Sequence, residues 1–592
     1  MMAQTKAQLG KLIQAAVGKI KSDLIVTGGK IINVYSGEIL DGLEIAVVDG
    51  RICYVGPNAA HTRGSQTRTL DAHGFYVGPG FIDGHTHIGH YCRPFEQLQS
   101  FVGHGTTALV ASCDELGSVF GYRGLRLFLE EVERHPLRAY TLVSMAVPQD
   151  PLLCNTADFD NAAFGRALAD PRILGVGEIV SWLRLIGCDE QLLERIHMAR
   201  ARGRLIHGHT AGARDRNLCA VAATGVSSCH EPIRMEDALE RLRLGYWTML
   251  REGSFRQDLE KTLKPLMERN ISWQRIMLVT DSMTPDDVEG RGHMDHVVRR
   301  AISLGLSPMQ AIQAVTVNAA TYSGLDQEIG GIAPGRFADF VLIDDLEQCQ
   351  VREVLIGGEL VARDGVSQVT REPLSVPDDM MHSLGLRAGV RADAFAVPCA
   401  SRRARLRVIE LLNSTITAER IVNVPSESGF IKASAREDLL KVAVFDRHHG
   451  SAKAAIGFLK GFGAKMGAIG LTVNLDENAL MVVGSNDEDM AYCANRLIEC
   501  GGGIVLVDRG QILANAEFPL GGICSLEPWQ EVGRRLRQIH ACLREHGALF
   551  EKPLFPLSFL TFVALPALRI TARGLVNAKE RKIVPLFVDE RV

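Results

Sequence analysis

One pattern dominates the chain after Gly78-Pro79-Gly80: a short apolar run, a longer amphipathic stretch, then another apolar run. The apolar runs are Thr107–Ala111, Tyr140–Met145, Ile173–Val176, Leu205–His207, Trp247–Leu250 and Ile276–Thr280, with helix-length segments between most of them. Strands joined by helices lie parallel, because each helix carries the chain back before the next strand begins. The spacing and the count favour closure into a (β/α)8, TIM-like barrel, an α/β fold. The last helix of the series is well punctuated. Ser307 caps it, Pro308 occupies its first turn, and Ile312 and Val315 line one face.

The flanks read differently. Leu24–Thr27, Ile31–Val34, Leu43–Val48 and Arg51–Val55 are short β-branched runs, separated by the turn signals Gly28-Gly29, Ser36-Gly37 and Asp49-Gly50. They predict a small antiparallel sheet. A helical spacing of Leu9, Leu12, Ile13, Val17 and Ile20 precedes them, within Met1 to Lys21. Beyond the barrel, β character returns at Phe337–Ile343 and Val351–Ile356, with a turn at Gly357-Gly358. Residues 1–77 and 331–385 are therefore expected to form one small, discontinuous, β-sandwich-like domain around a catalytic barrel at 78–330. A polar stretch rich in Arg and Ala, Arg387 to Arg407, marks the next boundary. Residues 405–592 read as a separate α+β domain, in which Asn486-Asp487-Glu488-Asp489 opens a helix and Gly501-Gly502-Gly503 ends it before the strand Ile504–Val507. Length alone, 592 residues, suggests about four domains; the pattern reduces them to three.

Composition narrows the partner. With 65 Lys and Arg against 69 Asp and Glu, a net charge of −4 leaves no basic field for nucleic acid and no polybasic membrane patch. Thirteen Cys, none in a Cys-x-x-Cys pair, argue against a disulfide framework and against a thiolate zinc module. Leu554 to Leu568 is broken by Pro556 and Pro566 and is too short to span a bilayer. The N-terminus lacks the apolar core and cleavage site of a secretory signal. These readings predict a cytoplasmic protein with a small-molecule partner.

The chemistry concentrates at strand ends. In Phe81-Ile82-Asp83-Gly84-His85-Thr86-His87, two His at i and i+2 share one face of a strand and can converge on one ion. Glu178 ends the run Ile173–Gly177, His209 follows Leu205-Ile206-His207-Gly208, His230 follows Ser227-Ser228-Cys229, and Asp281 ends Ile276–Thr280. Each alone is more often a helix cap or a satisfied core residue. Together they put metal-binding residue types at several separate strand-to-helix junctions, the end of a barrel where active sites are built. His207 and His209 share a strand face, so spacing leaves either as the ligand of that strand.

These residues resemble the amidohydrolase superfamily and, within it, the bacterial adenine deaminases. The resemblance runs through Ile32-Asn33-Val34-Tyr35-Ser36-Gly37-Glu38-Ile39, Gly105-Thr106-Thr107, Met249-Leu250-Arg251-Glu252-Gly253-Ser254 and Ile332-Ala333-Pro334-Gly335-Arg336-Phe337-Ala338-Asp339. The subfamily rests on the C-terminal region: Lys460-Gly461-Phe462-Gly463, Val483-Gly484-Ser485-Asn486-Asp487-Glu488-Asp489-Met490 and Asn495-Arg496-Leu497-Ile498-Glu499. The resemblance implies two divalent ions, Mn2+ or Fe2+ by family precedent and Zn2+ by ligand chemistry alone. It assigns His85, His87 and Asp281 to one ion and His209 and His230 to the other, with Glu178 bridging where many relatives carry a carboxylated Lys. It selects His209 over His207 because the family's His follows Gly directly, leaving His207 as a support or a packing residue. His90, His104 and Cys92 are expected to be structural.

The implied reaction is hydrolysis of adenine to hypoxanthine and ammonia, with a metal-bridged hydroxide attacking C6. Asp281 would pass the proton of the nucleophile towards the leaving ammonia, and Glu115 would transfer one to N1. Arg251, Glu252 and Ser282, with Glu115, are the candidate substrate contacts. A homodimer or higher homo-oligomer is expected. The chain departs from the family at Ser112-Cys113-Asp114-Glu115 (commonly Asp-Pro-His-Glu), at Ser282 (commonly Asp) and at Asn474-Leu475-Asp476-Glu477 (commonly His-Asp-Ser-His). The metal set is intact and the substrate surroundings are altered. Two other readings compete: hydrolysis of another amino-heterocycle or cyclic amide by the same site, which Glu178 in place of Lys disfavours, and a metal-free assembly protein, which the complete ligand set disfavours. The His-x-Glu with Pro-Cys-x-x-Cys design of single-zinc deaminases is absent.

Overall fold

The computed structural model describes residues 4–145, 147–386, 389–450 and 453–588. The first three residues of the N-terminal stretch, and Arg387 at the start of the polar boundary, lie outside the described residues.

Eight parallel strands build the barrel: Phe81–His87, Thr106–Ser112, Arg138–Val143, Ile173–Ile179, Leu205–Gly208, Ser228–Cys229, Trp247–Arg251 and Ile276–Val279. The first five form one sheet in sequence order and the last three another. Two seams close the ring. Ser227 N donates to Ile206 O (3.2 Å) at one, and Asp281 N to His85 O (3.0 Å) with His87 N to Asp281 O (2.9 Å) at the other. The second seam places residues 85, 87 and 281 on adjoining strand ends. The strand Thr106–Ser112 is buried throughout, and its residues pack inward against the ring and outward against the helix layer.

The small domain has two sheets, as expected of a sandwich-like domain, but neither is purely antiparallel as the hairpin signals predict. One is ordered 51–56, 44–48, 24–27, 68–71, the other 366–367, 359–363, 351–356, 340–343, 76–79, 30–33, 38–40. Each holds one parallel pair, Leu24–Thr27 with Arg68–Asp71 and Lys30–Asn33 with Tyr76–Pro79. Gly28-Gly29 causes the departure. It reads as a hairpin turn, but Gly28 at φ +75° passes the chain from one sheet to the other instead. A Cβ on Gly29 would lie 2.6 Å from Val77 and 2.9 Å from Ala72. Val26, Ile31, Val47, Phe340 and Leu355 fill the space between the sheets.

The barrel is inserted into this domain. Phe340–Ile343, leaving the barrel, pairs antiparallel with Tyr76–Pro79, entering it. Phe337 is held between the guanidinium groups of Arg51 (3.8 Å) and Arg138 (3.6 Å), and Arg138 Nε donates to Asp339 (2.7 Å). The N-terminal helix, Lys6–Ala16, opens with a Thr5–Gln8 capping box. It packs Leu12 and Ala15 against the first sheet and turns Leu9 and Ile13 to solvent, as Val17 just after it also is.

The C-terminal domain is a ten-stranded mixed sheet whose central strand Leu440–Phe445 is buried on both sides. Alternation separates its contacts. Ala443 and Phe445 join the core under helix Asp487–Glu499, while Val442 and Val444 join the core shared with the barrel. Asn486 caps that helix through Asp489 N (2.9 Å). Leu384, Leu386, Val390 and Phe395 also enter the core under this helix, so the domain draws on residues upstream of 405. It docks on the C-terminal mouth of the barrel. Cys524–Ser525 pairs in parallel with Tyr91–Cys92, which follow the first barrel strand, and Lys552 bonds to Asp286. No helix among the described residues is long and apolar enough to cross a membrane.

Candidate metal centre

His85 and His87 stand on the inner face at the end of the first strand, as a two-residue spacing requires. Around them the strand ends assemble two triads of potential ligand atoms, His85–His87–Asp281 and Glu178–His209–His230, each within 4.8 Å. Glu178 links the two: Oε1 lies 3.1 Å from His87 Nε2 and Oε2 lies 3.1 Å from His230 Nε2. Asp281 Oδ1 is 3.1 Å from His85 Nε2 and 3.7 Å from His87 Nε2. All six residues named by sequence thus converge in one place. His209 Nε2 is 3.9 Å from Glu178. His207 packs at 4.5 Å against His85, bonds through Nδ1 to the Tyr322 hydroxyl (2.9 Å), and also falls within ligand reach of His85 and His230.

The residues fit two divalent ions. Four imidazole Nε2 atoms approach carboxylate oxygens with little solvent present, and Glu178 Oε2 is buried without a hydrogen-bond partner. An unpaired buried carboxylate oxygen is costly unless a cation satisfies it. Imidazole and carboxylate without thiolate suit Mn2+, Fe2+ or Zn2+.

Electrostatics set each charge. Burial opposes ionisation of Glu178, but the charges of His209 and His230 overcome it and hold the carboxyl well below its ordinary range. Burial likewise opposes ionisation of Asp281, and Arg251 followed by His230 reverses it, keeping Asp281 ionised. His85 is lowered to about 4 by burial and by the charge of His230, whereas burial is outweighed at His87 and His209 by the neighbouring carboxylates, which raise both.

Arg251 is the anchor of this arrangement. Its buried guanidinium donates to Asp281 Oδ2 (2.8 Å) and to Glu231, and lies 3.4 Å from Asp258. Three carboxylates therefore engage the group proposed as a purine contact. Arg251→Ala would leave them without their buried counter-ion, and a loss of about 3 kcal/mol or more of stability is expected, read as a lower melting temperature.

Glu252 departs from expectation. It does not line the cavity; it lies 3.8 Å from His296 Nε2, because successive strand residues point to opposite sides. Glu115 lines the cavity, 3.3 Å from His87 Nδ1. Ser282 also lines it and pairs with His90 Nε2 at 3.0 Å, which brings His90, expected to be structural, into the wall. Sequence reasoning missed Asp114, whose carboxyl burial raises to about 6 against the pull of His87, and Glu231, which is 3.4 Å from His209. Each directly adjoins a named site residue, and that adjacency was the available signal. The C-terminal domain, whose apolar content alone leaves covering the pocket and building a dimer equally open, roofs the cavity, with Leu475, Asp476, Phe559, Phe562 and Leu565 in its lining.

Comparison with known proteins agrees with this geometry. The amidohydrolase family matches residues 76–361, and the adenine deaminase C-terminal domain matches residues 414–582. The chain is 38% identical to an adenine deaminase of Moorella thermoacetica, covering 98% of each chain. It is 35% identical to an adenine deaminase of Cenarchaeum symbiosum, covering 100% of this chain and 97% of that one. Among solved structures, a β-aspartyl dipeptidase of Fervidobacterium islandicum aligns with 60% of this chain and 99% of its own at a TM-score of 0.46 and 17% identity. With both regions matched and full-length identity at this level, the chain belongs to the adenine deaminase family of the amidohydrolases.

Proposed function

We propose that the protein hydrolyses adenine to hypoxanthine and ammonia. The observation that carries this reading is Glu178, set between two imidazole groups on the floor of a cavity whose roof belongs to the adenine deaminase C-terminal domain. Bound divalent ions, proposed as Mn2+ or Fe2+, supply a water ionised at neutral pH.

The chain's own residues supply orientation and proton transfer. Asp281 is fixed at both oxygens, by His85 on one side and Arg251 on the other. A carboxylate so held can take the proton of the attacking water and deliver it to the departing amine. As C6 becomes tetrahedral, N1 gains a proton. Glu115, in the wall beside His87, is placed to provide it. Ser282 and His90 border the same space and are proposed to position the base. The apolar roof of Phe559, Phe562 and Leu565 suits an uncharged aromatic ring and excludes bulk water.

The direct test is ammonia release from adenine compared with guanine, adenosine and cyclic amides, on protein shown by metal analysis to carry divalent ions. Release from adenine above all others is expected. No release from adenine at high protein concentration would remove this reading in favour of cyclic-amide hydrolysis.

A further inference from the structure

Two adjacent acids at the edge of the roof behave differently. Glu477 is fully occupied, its Oε1 accepting from Asn155 N (2.8 Å) and its Oε2 from Ala572 N (2.9 Å). Asp476 is not. Its Oδ2 is buried without a partner while the residue lines the cavity.

The loop is built to hold Asp476 there. Asn474 closes it by accepting from Ala479 N (3.1 Å) and donating to Ala479 O (2.6 Å). Thr561 donates to Leu475 O (2.7 Å), and Asn478 donates across the domain boundary to Ser118 (2.8 Å). At the tip Asp476 takes φ +73°, a left-handed conformation that costs an ordinary side chain but suits Asp. A stapled tip in a left-handed conformation holds one unsatisfied carboxyl oxygen beside the cavity wall, where a ligand donor could satisfy it. Burial, with the charge of Glu477 beside it, pushes the Asp476 carboxyl well above its usual range. An incoming N–H donor would supply what the ionised form lacks.

The purine's orientation follows from the reaction proposed above, on which this inference rests. C6 must face the ligand cluster on the barrel floor. N3 lies across the six-membered ring from C6, and N9 adjoins that far edge, so this edge faces the roof. We propose that Asp476 Oδ2 accepts the N9–H of the unsubstituted purine, making Asp476 the residue by which the C-terminal domain selects free bases. A nucleoside has no N–H at that position and places a sugar against the stapled loop.

The test uses two competitive inhibitors of adenine turnover, purine and 9-deazapurine. The second puts carbon in place of N9 without adding bulk. The wild-type protein should bind purine about 10-fold more tightly, the size expected for one hydrogen bond to a buried acceptor. Asp476→Ala should weaken purine alone and bring the two inhibition constants within about threefold of each other, with metal content and melting temperature unchanged. Equal affinities in the wild type would overturn the proposal without involving any variant. A purine preference that persists in Asp476→Ala would overturn it as well. Failure of the reaction itself shows separately, as no ammonia release from adenine by the wild type.

Discussion

Glu178→Ala should remove at least one divalent ion per chain and lower adenine turnover by more than about 100-fold, beyond the usual effect of losing a mere supporting contact at a metal site. Its two oxygens face different imidazoles at 3.1 Å each. Asp281, the other carboxylate named as a ligand, already commits Oδ2 to Arg251. Alanine therefore leaves the two triads without the negative charge that lets two cations lie close together. Glu178→Gln preserves volume but not charge, and it should lose metal too. If metal analysis of Glu178→Ala finds both ions and turnover stays within about threefold of the wild type, Glu178 is an ordinary strand-end carboxylate and the binuclear centre is wrong.

Asp281→Asn should act differently. The amide keeps the shape and a donor-acceptor contact with His85, so part of the metal should remain. It cannot take a proton at neutral pH. A fall in kcat of about 10²- to 10⁴-fold is expected, the range assigned to a positioned acid–base group, with KM changing much less. That split separates proton transfer from binding: a rise in KM at constant kcat would mean that Asp281 holds the substrate and moves no proton. Arg251 loses one of its three carboxylate partners in this variant, so the melting temperature belongs beside the kinetics.

The barrel was legible because its strands are largely apolar runs that recur between helix-length segments. Even Ser228–Cys229, two residues long, is marked by the His230 that follows. The six metal-ligating candidates were legible only jointly: each alone reads as a helix cap or a core residue, their gathering at strand ends points to a metal, and the family resemblance was needed to choose His209 over His207. The sandwich-like character of the small domain was legible, but the parallel pair in each of its sheets was not. Gly28-Gly29 supports a hairpin and a sheet switch equally well by local rules, and Val77 and Ala72, which crowd Gly29, are distant in sequence. Arg251-Glu252 read as a pair of pocket contacts because the side to which each points depends on the register of the strand. Asp476 was visible only as part of a departure from the family pattern, with no role attached to it. An Asp in a turn is common, and its exposure to the cavity depends on a docking between domains that no local pattern encodes.

The pairing of Tyr76–Pro79 with Phe340–Ile343 also has a consequence for synthesis. About 260 residues separate the two strands, and at ribosomal rates of about 5–20 residues per second the earlier one waits roughly 10–50 s for its partner. Through that interval one edge of Tyr76–Pro79 stays unpaired while Lys30–Asn33 can already occupy the other. An open strand edge invites pairing with another chain. The nascent protein is thus most vulnerable to association while its barrel is still being made, and the emergence of four residues after the barrel ends that exposure.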